Sequence, residues 1–418
     1  MFPLPRFASA LALFASVLSC ASAAPTGSPE PLLLTGARIV AAPGVEPLVG
    51  GAVLLKDGRI AAVGPRDRIA APAGARVIDC SGDTIVAGFW NCHVHFTEPQ
   101  WTGAASRPQA ELQRSLQAML TRYGFTSVLD LGSDISNTTA LRRRIDSGEV
   151  PGPRILTAGL PLYPTNGVPF YVTETVPADV VALLPTPKTP EEAVRAVQAN
   201  VAAGADVVKL FLVTGVRRNG DIALVSMAPE IAKAAAAEAH RLGKIVFVHP
   251  STVEGVRLAL AAGVDVLGHT VEDPENWTER TVADLRKAHI ALVPTVTLFS
   301  RTKAFPGVVR EVKSFVQAGG EILFGTDVGF LTDYQDLTRE YRLLADGGIT
   351  PRQLLESLTT APARRLGAAE HSGRVVAGAD GDLVVLKGDP MADVAAFSRV
   401  RFTVREGRVV FSEAPEAR

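Results

Sequence analysis

The feature that most restricts how this 418-residue chain can fold is a punctuation that repeats through its middle. A helix-forming stretch ends on glycine or a short polar turn, and a run of about four to seven apolar residues follows at once. ANVAAG precedes ADVVKLFL, AEAHRLG precedes KIVFVH, RLALAAG precedes VDVLGH, RKAH precedes IALVPT, and FVQAGG precedes EILFGT. Strands this uniformly apolar are buried on both faces, so they belong to a parallel sheet covered by the intervening helices. AAGADVV and AAGVDVL read as copies of one unit. About eight units over residues 84–367 fit an α/β fold, a closed (β/α)8 TIM barrel, whose typical size is ~250 residues. The alternative, a doubly wound open sheet, wants a Gly-rich phosphate turn after an early strand. No G-x-G-x-x-G stands there.

The two ends read differently. Residues 32–83 hold short strands and tight turns, with Asp57-Gly58 between two apolar runs as a hairpin signal. The tail answers with DLVVLKGDP and FTVREGRVVFSE, turning at Glu406-Gly407. Both ends are expected to pair into one small β-sandwich domain split around the barrel. The expected division is a leader (signal peptide) at 1–23, the N-terminal β-sandwich segment at 24–83, the barrel at 84–367 and the C-terminal β-sandwich segment at 368–418. Inside the barrel, Thr189-Pro190-Glu191-Glu192 carries the signals of a helix start, and Gly204 those of its end.

The first residues read as an address. Arg6 precedes an apolar run over 7–18, and Ala21-Ser22-Ala23 supplies a small-residue cleavage pattern. This predicts an exported protein, periplasmic or secreted. Val17-Leu18-Ser19-Cys20 loosely matches a lipobox, and on that variant Cys20 carries a lipid anchor to a membrane. Once the leader is removed only Cys80 and Cys92 remain. Sequence alone leaves open whether they form a disulfide. Lys+Arg number 42 and Asp+Glu 43, for a net charge of -1, so the basic excess that nucleic acid binding needs is missing.

Polar residues interrupt or close the apolar strands near their C-terminal ends. These are Asn91, His93 and His95 on the first, Lys209 on the fourth, His249 on the fifth, His269 on the sixth and Asp327 on the eighth. In a barrel those ends converge on one mouth. Burying such groups without partners is costly, and a metal ion resolves the cost with ligands of these types. Residues two apart in a strand share a face, so His93 and His95 can chelate one ion. Lys209, set in VVKLFL, is either a lysine reaching to solvent or a buried amine of lowered pKa able to take up CO2 as a carbamate.

The stretches AGFWNCHVHF, ADVVKLF, KIVFVHP, GVDVLGHT, FGTDVG and GRVVAGADGDLVVLKGDP together resemble the metal-dependent amidohydrolase superfamily, within its imidazolonepropionase-like and prolidase-like group. The resemblance runs over almost the whole chain after the leader. It implies a site for two divalent ions, zinc by default with manganese, iron or cobalt open. His93, His95 and Asp327 would hold the buried ion, His249 and His269 the second, and a carbamate on Lys209 would bridge them. It further implies a bridging hydroxide that attacks a small-molecule or short-peptide substrate, with Asp327 as the catalytic acid–base group. Two departures stand out. Many relatives carry Asp at the place of Asn91, and many carry a second histidine where this chain has Ser251.

The expected reaction is hydrolysis of a C–N bond in an amide, cyclic amide or dipeptide. A lactonase or phosphotriester hydrolase would use the same ligands. A non-catalytic binding protein on a barrel scaffold would be expected to lose some of them, and this chain keeps the full set. Ser251, Tyr163, Asn166, Arg217 and Trp101 are the candidate substrate contacts, since loops at the mouth set substrate choice. The Pro-rich residues 160–188 are either a lid or a surface excursion. An oligomer is left open.

Overall fold

The computed structural model describes residues 29–176, 178–329 and 336–413. The leader at 1–23 and the lipobox cysteine lie outside the described residues. No described helix is long and apolar enough to cross a membrane.

Parallel strands carry the middle of the chain. Phe89–Val94, Phe125–Asp130 and Arg154–Thr157 pair side by side. Val208–Phe211, Val246–His249, Val266–Leu267 and Ala291–Leu292 pair in that order. Isolated parallel bridges connect these groups: Leu162 with Leu210, Leu292 with Ile322, and Val94 with Val328. The line of parallel pairing therefore returns to the strand on which it began. The last apolar run, around Ile322 and Val328, joins it through single bridges rather than a regular ladder.

Alternation within each strand separates two cores. Leu129, Val207, Phe247, Val266, Ala291 and Leu323 come from six different strands and pack with one another. Their neighbours Val128, Val208, Val246, Leu267, Leu292 and Phe324 pack in the cluster that also holds helix residues such as Leu116, Ala235, Val256 and Val312. Since strand residues two apart share a face, Lys209 projects with Val207, and His249 with Phe247.

The helix Pro190–Ala202 shows why the sequence signals work. The Thr189 hydroxyl accepts from the Glu192 N–H at 3.3 Å, and Gly204 takes a positive φ of 105°. The Glu192 carboxylate reaches one residue past the cap and accepts from the Lys188 N–H at 2.7 Å. The first turn is thus closed by a variant of the expected reciprocal box.

Both chain ends contribute strands to one eight-stranded sheet. The strand Asp83–Ala87 causes this. It pairs in parallel with Leu32–Ile39 and antiparallel with Leu383–Lys387, joining the N-terminal hairpin to the C-terminal meander. Leu34, Val53, Ile85, Val385 and Val404 form its core. Cys80 and Cys92 are both buried and both free.

Asp382 stands where the β unit meets the first of the parallel strands, Phe89–Val94. Its carbonyl accepts from the Gly88 N–H, and its Oδ1 accepts from the Glu406 N–H, each at 2.8 Å. Its Oδ2 is buried without a hydrogen-bond partner. Burial pushes the carboxyl up to about 6 against the opposing pull of Arg405. An unfolded aspartate titrates near ~3.9, so between roughly pH 4 and 6 the folded chain binds the extra proton. Stability from this group therefore falls as pH rises through that window. Asp382→Asn is expected to raise stability by about 1–3 kcal/mol at about pH 7.5 and to change little near pH 4. Urea midpoints at the two pH values check this, and an equal gain at both would contradict it.

Candidate metal centre

The strand ends deliver the polar residues to one place. His93 Nε2 and His95 Nε2 both face Asp327 Oδ1, at 3.2 and 2.9 Å. Their donor atoms lie within 4.8 Å of one another, close enough to hold one ion. The other ring nitrogens are already committed. His93 Nδ1 is 2.9 Å from the carbonyl of Gly268, and His95 Nδ1 is 2.9 Å from that of Gly132. A carbonyl only accepts, so each Nδ1 carries a proton and each Nε2 is the atom left to face Asp327.

Gly132 is held in turn by Asp130, whose Oδ1 accepts from its N–H at 3.2 Å. Asp130 Oδ2 accepts from Ser133 Oγ at 2.5 Å and Thr157 Oγ1 at 2.6 Å. Asn91 ties the first strand to the last. Its Nδ2 donates to Thr326 Oγ1 at 2.8 Å, and its Oδ1 accepts from the backbone N–H groups of His93 and Thr326, each at 3.2 Å. An amide both donates and accepts here, so asparagine serves as a buttress at this position.

The remaining three residues stand beside this group. The His269 ring lies 4.5 Å from that of His93 and 4.6 Å from that of His249. His249 stacks on Phe211 at 4.7 Å, and Phe211 on Tyr163 at 4.6 Å. Lys209 is 1% exposed, and its Nζ has no hydrogen-bond partner among the described residues. A methyl group at Gly268 would stand 2.7 Å from that Nζ and 3.5 Å from His93 Cε1. The six predicted ligands are therefore assembled, with the amine against the strand that carries His269.

Burial governs their protonation. It lowers the Lys209 amine to about 7, against the pull of Asp327. It lowers His249 to about 3, helped by Lys209, and carries His93 and His269 well below the usual imidazole range. Burial acts the same way on His95, but the hydrogen bond and charge of Asp327 outweigh it and hold His95 above its ordinary value. Asp327 is held well below the carboxylate range because His93, His95 and Lys209 together outweigh its own burial. Imidazoles, an anionic carboxylate and a buried amine form a donor set that fits divalent cations such as zinc. Without an ion, only the pull of Asp327 and the face of the Phe211 ring, 5.5 Å away, offset the desolvation of the buried amine.

Backbone strain collects at the same rim. Ser251, Thr295 and Asp327, which follow the fifth, seventh and eighth apolar runs, hold positive φ values of 52°, 46° and 60°. Such conformations cost roughly 1–3 kcal/mol each and persist where surrounding contacts impose them.

The candidate substrate contacts fare unevenly. Ser251 is buried, and its Oγ donates to the Val213 carbonyl at 2.7 Å. Tyr163 is buried in its stack on Phe211. Asn166 is exposed at a left-handed turn with φ of 55°. Arg217, exposed on the hairpin strand Val213–Arg218, pairs with Glu174 at 2.5 Å and lies over Phe170 at 5.3 Å. Trp101 sits fully inside the hydrophobic core, edge-on to Phe96 at 5.1 Å. Residues 160–188 contribute the half-buried Tyr171, whose phenol is raised above its usual range by desolvation and further by Tyr163, Asp327 and Glu272. Sequence reasoning passes over Tyr171 because no periodic pattern marks it. Asp130 closes its apolar strand as His249 does, and the strand-end rule could have found it.

The polar cluster stands at the C-terminal ends of parallel strands, where folds of this kind place their active sites. Residues 84–410 match the amidohydrolase family, and the chain belongs to that family. It is a hydrolase acting on carbon–nitrogen bonds. Ochratoxinase from Aspergillus niger is 24% identical over 399 residues, spanning 84% of this chain and 80% of that protein. The structure is similar to that of a putative prolidase from Bifidobacterium longum, with a TM-score of 0.75, 27% identity, and coverage of 93% and 96% of the two chains. It is also similar in fold to the A. niger ochratoxinase structure, with a TM-score of 0.73, 22% identity, and coverage of 93% and 98%.

The close approach at Gly268 yields a direct test. Gly268→Ala is expected to displace Lys209 and to weaken retention of added zinc by about 10–100-fold while the chain stays folded. Metal analysis after gel filtration, beside a circular dichroism melt, reads both effects. Wild-type retention would detach Lys209 from the metal centre.

Proposed function

We propose that this chain is an exported, binuclear metal-dependent amidohydrolase that cleaves a small amide, cyclic amide or dipeptide. The observation that carries the reading is the convergence of His93 and His95 on Asp327, with His269, His249 and the orphaned Lys209 amine beside them. The ring of parallel pairings supports a closed (β/α)8 barrel over 84–367, flanked by a β domain from 24–83 and 368–418. The relatives named ochratoxinase and prolidase support a substrate of amide or dipeptide type. The apolar run at 7–18 supports export.

In this reading His93, His95 and Asp327 would hold one zinc ion, His249 and His269 would hold a second, and Lys209 would contribute to both as a carbamate. Two divalent ions there would lower the pKa of water and polarise the substrate carbonyl. The chain's own residues do the rest. Asp327 stays anionic, so it accepts a proton from water and delivers it to the leaving nitrogen. The carbonyls of Gly268 and Gly132 keep His93 and His95 in the tautomer that presents Nε2. The aromatic stack of Tyr163 and Phe211 walls the side on which His249 stands.

Lys209 carries a pH signature. An amine lowered to about 7 is largely uncharged above that value, and only the uncharged amine combines with CO2, forming the carbamate and releasing a proton. At fixed dissolved CO2, reconstitution of metal-free protein with zinc is expected to speed up as pH rises through about 7. A carbon-13 resonance from labelled CO2 reports the carbamate, and its absence from the active enzyme would remove the bridge.

Activity separates the reaction classes. The zinc-loaded protein is expected to turn over members of a panel of dipeptides, N-acyl amino acids and cyclic imides. Exclusive turnover of lactones or aryl phosphotriesters would replace the reading with its ester-cleaving or phosphorus-directed counterpart. Asp327→Asn is expected to cost about 10²–10⁴ in kcat, the usual worth of a positioned acid–base group. Undiminished kcat would remove Asp327 from the chemistry.

A further inference from the structure

Thr295 is the least natural residue for its conformation at the rim. It holds φ 46° and ψ 49°, in the left-handed region that a β-branched side chain disfavours. The short helix Val296–Phe299 starts immediately after it. The side chain of Glu340, from the helix Thr338–Asp346, grips that start with both oxygens. Oε1 accepts from the Val296 N–H at 2.9 Å, and Oε2 from the Thr297 N–H at 2.7 Å. Glu340 is 2% exposed, so these bonds are made away from water, where a carboxylate accepts strongly. The two peptide groups that follow Thr295 are thereby fixed, and with them the angle at which Thr295 leaves the strand end.

The Thr295 hydroxyl then meets a single partner of consequence. Its Oγ1 lies 2.8 Å from His269 Nδ1. His93 and His95 direct Nδ1 at backbone carbonyls, which admit only one tautomer. A hydroxyl does not enforce this, since it can donate or accept. His269 therefore depends on where its threonine is held in a way the other two do not.

We propose that Glu340 is a positioning residue for His269: acting through Thr295, it keeps the imidazole oriented with Nδ1 protonated and Nε2 free to bind a cation. The inference deepens the reading of His269 as a ligand and rests on it for its purpose, but the orientation is a property of the metal-free chain and can be measured there. Glu340 makes no contact with the reacting atoms in this scheme.

Two-bond proton–nitrogen spectra of metal-free protein labelled at the histidine rings read the tautomer directly, with the His269 signal assigned from its loss in His269→Gln. The wild-type ring is expected to be in the Nδ1–H form. Glu340→Gln puts an amide NH2 where a second acceptor is needed, and Glu340→Ala removes both acceptors. Each is expected to leave His269 as a mixture, with about half its population in the other tautomer, while His93 and His95 keep theirs. Thr295→Val is expected to do the same and Thr295→Ser to retain the wild-type signal. Adding Glu340→Gln to Thr295→Val is expected to shift His269 no further.

In zinc titrations Glu340→Gln, Glu340→Ala and Thr295→Val are expected to hold one of two equivalents about 10–100-fold more weakly, and Thr295→Ser to bind as the wild type does. A wild-type ring in the Nε2–H form overturns the proposal, as does an unchanged His269 signal in both Glu340 variants. Loss of cooperative melting in both variants also overturns it, by making Glu340 a residue of the fold. A different result, full binding of two zinc equivalents by His269→Gln, would sink the reading of His269 as a ligand and leave the orientation measurement standing.

Discussion

The contact on which this structure turns is that of one carboxylate oxygen with two imidazole nitrogens, Asp327 Oδ1 between His93 and His95. The two ends of the parallel pairing meet there. Asp327 follows the last apolar run and the histidines follow the first, and the Asp327 N–H donates to the His93 carbonyl at 2.9 Å. The joint that returns the sheet to its beginning is thus also the centre of the polar cluster. Charge and chain closure support each other, because the left-handed backbone at Asp327 is tolerated where both demands coincide.

Around that contact, orientation is set by different means at each ring. Backbone carbonyls fix His93 and His95, and they belong to glycines whose own surroundings are crowded. A hydroxyl fixes His269, and the hydroxyl is itself governed from a helix farther along the chain. Lys209 has no such tether, and its position follows from packing against Gly268. The rigid rings and the untethered amine match different tasks: the rings present lone pairs in set directions, while the amine is the group open to covalent change.

Much of this was legible from residues alone. His249, His269, Lys209 and Asp327 each break an apolar run at its C-terminal end, and parallel topology makes those breaks converge. The small β unit was legible as a pairing of chain ends, but its continuity was not. That continuity rests on Asp83–Ala87 hydrogen-bonding along both edges, and no local pattern announces which strands a central strand will choose. Loop position puts Trp101 at the mouth, whereas its size and apolarity draw it into the core beside Phe96. The place of Ser251 in the chain suggests a substrate contact. Its left-handed backbone instead turns the hydroxyl onto the Val213 carbonyl, a tertiary choice that sequence spacing does not encode. Glu340 lay beyond reach for the same reason: its partners precede it by more than forty positions.

The central strand of the β unit has a consequence for how the polypeptide comes into being. Asp83–Ala87 emerges early from the ribosome, yet one of its two edges stays vacant until Leu383–Lys387 has been made. Until then that edge is an open template for any passing strand, the condition that favours mispairing. Contacts so distant in sequence also form slowly. A nascent molecule of this kind gains from being kept unfolded until Leu383–Lys387 is available to pair.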